Sequence, residues 1–335
     1  MTIKVGINGF GRIGRCVARA IYENPDKGIE LVALNSPAPA DTILHLLKYD
    51  SVHGRFATKS EIAGDALMIA GKKVALSHQK DPAQIKWADM GVDVVLECSG
   101  KFNKRDEGAK HLAGGAKRVL VSAPAENADS TIVYGVNNDA LKNTHQVVSV
   151  GSCTTNALAP VAKVLHEAFG IDSGFMTTIH AYTGDQNLVD NSHKDLRRAR
   201  SAAMSMIPTS TGAAKTIGLI IPELKGKLDG IAIRVPVPNV SLVDLSFTTV
   251  KEANKDAIND ALNKAAGTES LKDILHISRR PLVSIDYTHT PYSSIVDITG
   301  TYVTGKIARV ASWYDNEWAF SCRMLDVAKL WMNTK

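Results

Sequence analysis

A glycine-rich turn between an alternating strand and a helical run constrains this chain more than any other feature. Residues 3–8 (IKVGIN) alternate as a buried strand does, Gly9-Phe10-Gly11-Arg12-Ile13-Gly14 follows, and residues 15–22 continue as a helix. A second strand over 29–35 completes a strand–helix–strand unit. The glycines permit a tight turn whose backbone comes close enough to a pyrophosphate for the helix N-terminus to attract it. A Gly-rich turn without a ligand is the bland alternative, and placement between strand and helix argues against it.

Further β-branched runs at 92–96, 118–122, 131–135 and 146–149 alternate with helical stretches such as 105–114, as in a doubly wound parallel sheet. Ligands sit at the carboxyl ends of such strands, which marks Ser99-Gly100 and Ser122-Ala123-Pro124 as cofactor contacts. The second strand ends in Asn35-Ser36-Pro37, where a carboxylate normally holds the adenosine ribose hydroxyls and repels a 2′-phosphate. A serine hydroxyl there donates to a phosphate, or Ser36 is merely a turn residue before Pro37.

At 335 residues the chain exceeds one ordinary core, so two domains are expected. No apolar run approaches the roughly 18 residues that a membrane helix needs, and the N-terminus lacks the parts of a signal peptide. A cytosolic protein with no membrane partner is the expectation. The four cysteines have neither disulfide-framework nor metal-site spacing, so no metal is expected. A net charge of +5 suits anionic substrates and is too diffuse to indicate nucleic acid.

The second half carries reactive groups. Ser149-Val150-Gly151-Ser152-Cys153-Thr154-Thr155-Asn156 follows a strand and precedes a helical run over 157–169, putting Cys153 near a helix N-terminus, where the dipole stabilises a thiolate. A free cysteine is more often a small buried hydrophobe. His180 ends a strand over 175–179, and its pairing with Cys153 makes it a candidate base. The run His193–Arg200 reads as a solvated face; with Thr209-Ser210-Thr211-Gly212 and Arg234 it also reads as a set of sites for phosphate oxygens. Residues 217–250 read as several strands of a sheet that packs on a neighbouring subunit's sheet. A final helix covers 316–333, with Asn316 as its cap or as a ligand contact.

The motifs INGFGRIGR, SCTTN, TIHAYT, HKDLRRAR and WYDNEW, in this order, resemble those of the glyceraldehyde-3-phosphate dehydrogenase family from about residue 3 to 333. The resemblance implies an α/β protein with an N-terminal Rossmann-type doubly wound sheet (1–151, completed by helix 316–335) and an α+β catalytic domain with a mixed sheet (152–315). It implies phosphorylating oxidation of the triose phosphate through a Cys153 thioester, with His180 as base and with His180 and the Cys153 N–H stabilising the oxyanion. Thr183 and Arg234 match the site for the substrate's own phosphate, and Ser152, Thr154, Arg198, Thr211 and Gly212 the site for attacking inorganic phosphate. Asn316 matches the residue that orients the nicotinamide carboxamide, and Ile13 the one that packs on the ring. The loop over 181–205 resembles the S-shaped loop that lines an adjacent subunit's cofactor pocket, which implies a homotetramer.

Departures from the family pattern concern the cofactor. Members restricted to NAD have an aspartate at Ser36 and commonly Leu-Pro at Asn191-Ser192, and Gln79-Lys80 replaces a Glu-Arg pair. All three changes point to NADP use, alone or beside NAD. Phe320 replaces a tyrosine, and Val150-Gly151 replaces Asn-Ala. The rival readings are erythrose-4-phosphate dehydrogenase, which departs from the His-Ala-Tyr-Thr motif kept here, and a non-catalytic nucleotide- or RNA-binding protein using Arg197, Arg198 and Arg200.

Overall fold

In a computed structural model the chain is described over residues 2–334, without the side chain of Asp26. It divides into two compact units, Met1–Ser152 with Ser321–Lys335, and Cys153–Phe320.

The first unit is a nine-stranded sheet. From one edge, the hairpin strands Ser60–Ala63 and Ala66–Ile69 lead to Lys72–Ser77, Ile29–Asn35, Ile3–Asn8, Val94–Glu97, Arg118–Val121, Val147–Ser149 and Ser130–Thr131. The pairings up to Lys72–Ser77 are antiparallel and all those beyond it are parallel. The order reverses between Ile3–Asn8 and Val94–Glu97, which makes the crevice at their carboxyl ends the natural ligand position. The Rossmann-type expectation is met.

A polar seam crosses those carboxyl ends. Glu97 is buried; its Oε2 accepts from Asn8 Nδ2 at 2.5 Å and faces His111 Nε2 at 2.9 Å. Its Oε1 accepts from Ser99 N at 2.7 Å and Ser99 Oγ at 2.5 Å. Trp87 Nε1 donates to His111 Nδ1 at 3.0 Å, so the neutral ring carries its proton on Nε2 and donates to Glu97. Asn8 in turn accepts from Asn35 Nδ2 at 2.7 Å, and Asn35 accepts from Gln79 N at 2.9 Å. One hydrogen-bonded chain therefore joins three strand ends and the loop after a fourth.

The helix Trp318–Asn333 belongs to this unit from Ser321 onward. Trp331, Leu325 and Met324 are fully buried, each contributing about 1.5–3 kcal/mol of apolar burial. Trp331 Nε1 donates to Lys142 O at 3.1 Å, Arg118 donates to the Trp331 carbonyl, and Lys27 pairs with Asp326 at 2.6 Å.

The second unit is a seven-stranded mixed sheet in the order Ile207–Ser210, Leu228–Val235, Ile171–Ala181, Ser241–Thr249, Ile307–Tyr314, Ser294–Thr304, Leu275–Ser278. Helices Cys153–Phe169, Ala213–Ile220 and Lys255–Ala266 pack with it. The expected α+β class with a mixed sheet holds.

Several local expectations are corrected. Residues 217–220 are helical, not strand, because a short β-branched apolar run serves a buried helix equally well. The strand expected over 131–135 stops at Thr131, since Asn137 Oδ1 captures Val133 N at 2.8 Å and Gly135 turns with φ +83. The helix over 105–114 is two short pieces meeting at Ala109. The helix expected from 157 starts at Cys153, and the strand expected over 175–179 runs from Ile171 to Ala181. No helix among the described residues is long and apolar enough to cross a membrane.

Replacing Glu97 with Gln sets an amide NH2 against converging donors. We expect the urea midpoint to fall, with about 1–3 kcal/mol lost for a buried donor left unsatisfied. An unchanged midpoint would show that the seam contributes little to stability.

Candidate active site

The turn after Ile3–Asn8 is shaped by two close approaches. Gly9 has φ +90, and a Cβ there would lie 2.5 Å from Ser99 backbone. A Cβ on Gly14 would lie 2.1 Å from the Gly9 carbonyl, so the helix Arg12–Glu23 can start this close to the strand only with glycine. Around Gly11 there is open space, and Gly11 caps the helix without a side-chain bond, leaving N-terminal amides directed outward.

A cleft of about 370 Å³ opens there. Gly9, Gly11, Ser36, Lys80 and Ser99 line it together, with Asn8, Asn35, Gln79 and Lys101. Its lining holds no carboxylate. Ser36 Oγ accepts from Ala38 N at 3.3 Å, closing the turn, and Ser36 is among the residues lining the cleft. Arg12, Ile13, Gly14 and Ser122 lie outside that lining. Arg12 is instead forked on Asp50 at 2.5 and 3.0 Å. Burial works to raise the Asp50 carboxyl, but Arg12 and two backbone N–H groups outweigh it and hold the carboxyl far below its usual range.

In the second unit Cys153 is the first residue of its helix and is partly buried. The preceding Gly151 has φ +67, a conformation suited to glycine, and Ser152 is partly buried. His180 projects from the penultimate position of Ile171–Ala181, with Nε2 3.6 Å from Cys153 Sγ. Burial outweighs the Arg234 charge and the Thr154 hydroxyl and N–H and holds the Cys153 thiol above its usual value. His180 is pushed down to about 3, first by burial and then by Arg234, against the Ala181 carbonyl. Arg234, opposite His180 in the parallel neighbouring strand, puts Nη1 2.7 Å from His180 Nδ1. Cys153, His180 and Arg234 thus form one cluster. Tyr314, which sequence reasoning passed over inside its own motif, supports it: its hydroxyl bridges Thr154 Oγ1 at 2.8 Å and Thr178 Oγ1 at 2.9 Å.

The remaining residues are more dispersed. Arg198 donates to Thr209 Oγ1, Asp185 Oδ2 and Ser210 O at 2.8, 2.5 and 3.1 Å, so its fork is already engaged. Thr211 Oγ1 accepts from Ala213 N at 3.2 Å, and Gly212 caps that helix. Thr183 N donates to Gln186 Oε1 at 3.0 Å. Ser192 is exposed, and its N donates to Asn191 Oδ1 at 2.7 Å, apart from the cluster. The cap reading of Asn316 is corrected: Asp315 Oδ1 accepts from Glu317 N and Trp318 N at 2.9 and 2.8 Å, and Asn316 Oδ1 accepts from Ser241 Oγ at 2.9 Å. Asp185 and Glu97 were missed because only the fold brings them beside the named residues.

Comparisons with known proteins agree on one family. Residues 3–105 match the description "Glyceraldehyde 3-phosphate dehydrogenase, NAD binding domain" and residues 152–316 "Glyceraldehyde 3-phosphate dehydrogenase, C-terminal domain". The chain is 56% identical over 329 residues to "Glyceraldehyde-3-phosphate dehydrogenase" of Xanthobacter flavus, covering 98% of each chain. It is 54% identical over 330 residues to the protein of that name in Geobacillus stearothermophilus, again over 98% of each. With that of Pseudomonas aeruginosa it shares 51% over 329 residues and 98% of each. The turn, the cleft and the Cys153–His180 pair stand within these matches, and the chain belongs to the glyceraldehyde-3-phosphate dehydrogenase family.

Proposed function

We propose that this chain oxidises D-glyceraldehyde 3-phosphate to 1,3-bisphosphoglycerate, reversibly, with a nicotinamide dinucleotide and inorganic phosphate. The approach of Cys153 Sγ to His180 Nε2 at a helix start carries this reading. Cys153 Sγ attacks the aldehyde carbon while His180 Nε2 takes the thiol proton. The Cys153 N–H and the newly protonated His180 stabilise the oxyanion that forms. The nicotinamide, when bound, supplies the two-electron acceptor that turns this adduct into a thioester. His180 hands its proton to that oxyanion and, neutral again, takes it back in that step, and inorganic phosphate then displaces Cys153 from the acyl carbon.

Arg234 and Thr183 take the substrate's phosphate. Arg234 Nε is buried without a partner among the described residues, so its fork has a donor to spare for an anion. Ser152, the N-terminal amides at Thr154, and Thr211 with Gly212 hold the attacking phosphate, and Arg198 joins them only by loosening its 2.5 Å hold on Asp185. Gly9, Gly11 and Gly14 fit the dinucleotide, since the open space at Gly11 is a cradle that a Cβ would fill. The nicotinamide end falls to Asn316 and Ile13, with Arg12, Ser99 and Ser122 completing the contacts.

The cofactor includes NADP. Ser36, Lys80 and Lys101 line a cleft free of carboxylates, which favours a 2′-phosphate, and Ser192 supplies a further donor from a neighbouring subunit. Assembly into a homotetramer is supported by the loop over 181–205, where Leu188, Leu196 and Met204 are 81%, 82% and 86% exposed. The place of action is the cytoplasm.

Initial rates with NAD and NADP titrated side by side test the cofactor. A clear NADP rate is expected, and Ser36→Asp lowers kcat/KM for NADP selectively, a carboxylate near a phosphate costing about 1–4 kcal/mol. No NADP turnover at saturating substrate removes the NADP reading and keeps the enzyme. Alkylation of Cys153 abolishes activity, and Cys153→Ser neither turns over nor reacts. A higher kcat/KM for erythrose 4-phosphate than for the triose phosphate would overturn the choice of substrate.

A further inference from the structure

Ser241 stands where the ladder between Ile171–Ala181 and Ser241–Thr249 gives out. The last pair of that ladder is Ile179 with Leu242. Just before Ser241 the chain turns away at Val240, whose φ of +66 is rare for a β-branched residue. Ala181 N donates to Ser241 Oγ at 3.0 Å, so a side chain serves as acceptor one residue beyond His180. Ser241 Oγ also lies 2.9 Å from Asn316 Oδ1. Ser241 is 1% exposed, and its hydroxyl has no other partner among the described residues.

A hydroxyl has a single proton to give. With the Ala181 N–H already directed at Ser241 Oγ, that proton goes to the Asn316 oxygen. Were the amide turned over, Asn316 Nδ2 would be a second donor aimed at Oγ, and the buried hydroxyl proton would lack an acceptor, which folded proteins avoid. The bonding therefore decides which end of the Asn316 amide is which. Oδ1 is spent on Ser241, and Nδ2 has no partner among the described residues. The backbone around Asn316 is held separately. Asp315 Oδ2 accepts from Asn239 Nδ2 and His289 N at 2.9 and 2.7 Å, and its Oδ1 takes the Glu317 and Trp318 amides. Loss of the Ser241 hydroxyl thus frees the rotation of the Asn316 amide and leaves its anchorage in place.

We propose that Ser241 is a positioning residue for the nicotinamide: its hydroxyl holds the Asn316 amide with Nδ2 presented, so that this position takes a carbonyl oxygen in preference to an NH2 group. This rests on the reading that Asn316 meets the nicotinamide carboxamide. Asn316 then touches the cofactor, and Ser241 sets which of its atoms does so.

The test reads binding, by titration with NAD and with ADP-ribose, which lacks the nicotinamide. Ser241→Ala should weaken NAD about three- to tenfold, the factor that one ordinary hydrogen bond supplies, and leave ADP-ribose unchanged. In an Asn316→Ala background Ser241→Ala should add no further loss, because the amide it orients is gone. Equal losses for the two ligands overturn the proposal, as do unchanged NAD binding and a loss that persists in the Asn316→Ala background. The 3-acetylpyridine dinucleotide keeps the carbonyl and lacks the NH2, so the unaltered protein should bind it within about twofold of NAD. A greater loss would mean that Asn316 presents Oδ1, and the assignment falls. If Ser241→Ala does not fold, this analogue decides alone. An Asn316→Ala protein that binds NAD as tightly as the unaltered one removes the underlying reading, and the proposal with it, and is seen separately from the Ser241 variants.

Discussion

A carboxylate buried at the point where the strand order reverses organises the first unit. Glu97 is surrounded by donors: an asparagine amide, an imidazole N–H, and the N–H and hydroxyl of Ser99. Asn8 and Ser99 both line the cleft, so satisfying one buried acceptor also sets the cleft's floor. The glycine turn is built against that floor, with Gly9 touching Ser99 backbone. Ligand geometry and core satisfaction are here one requirement.

The second unit uses backbone register for the same purpose. His180 and Arg234 are opposite partners in a parallel ladder, which fixes their side chains on one face of the sheet. Tyr314, from a strand elsewhere in the sheet, then ties the start of the cysteine helix to the histidine strand through two threonine hydroxyls. The reactive sulfur is positioned by a helix start and a ladder, both rigid, and not by a flexible loop.

Much of this was legible in the residues because local chemistry and the final fold agree. Gly9, Gly11 and Gly14 announce their turn, and the β-branched runs announce a parallel sheet. The cysteine helix was read as starting late because Thr154, Thr155 and Asn156 are poor helix formers, and their burial overrides that preference. Residues 217–220 misled because apolar β-branched runs do not distinguish helix from strand. Asp185 with Arg198, and Glu97 with His111, were illegible in principle. Their pairing depends on chain segments meeting in space, and no spacing in the sequence encodes it.

The helix Trp318–Asn333 has a consequence for synthesis on the ribosome. Its Trp331 and Asp326 contacts belong to the first unit, yet the whole contiguous second unit is translated before them. The second unit can finish folding as it emerges, whereas the first must wait for the helix that carries Trp331, with the Arg118 and Lys142 contacts to it unmade until then. The unit that begins first is completed last.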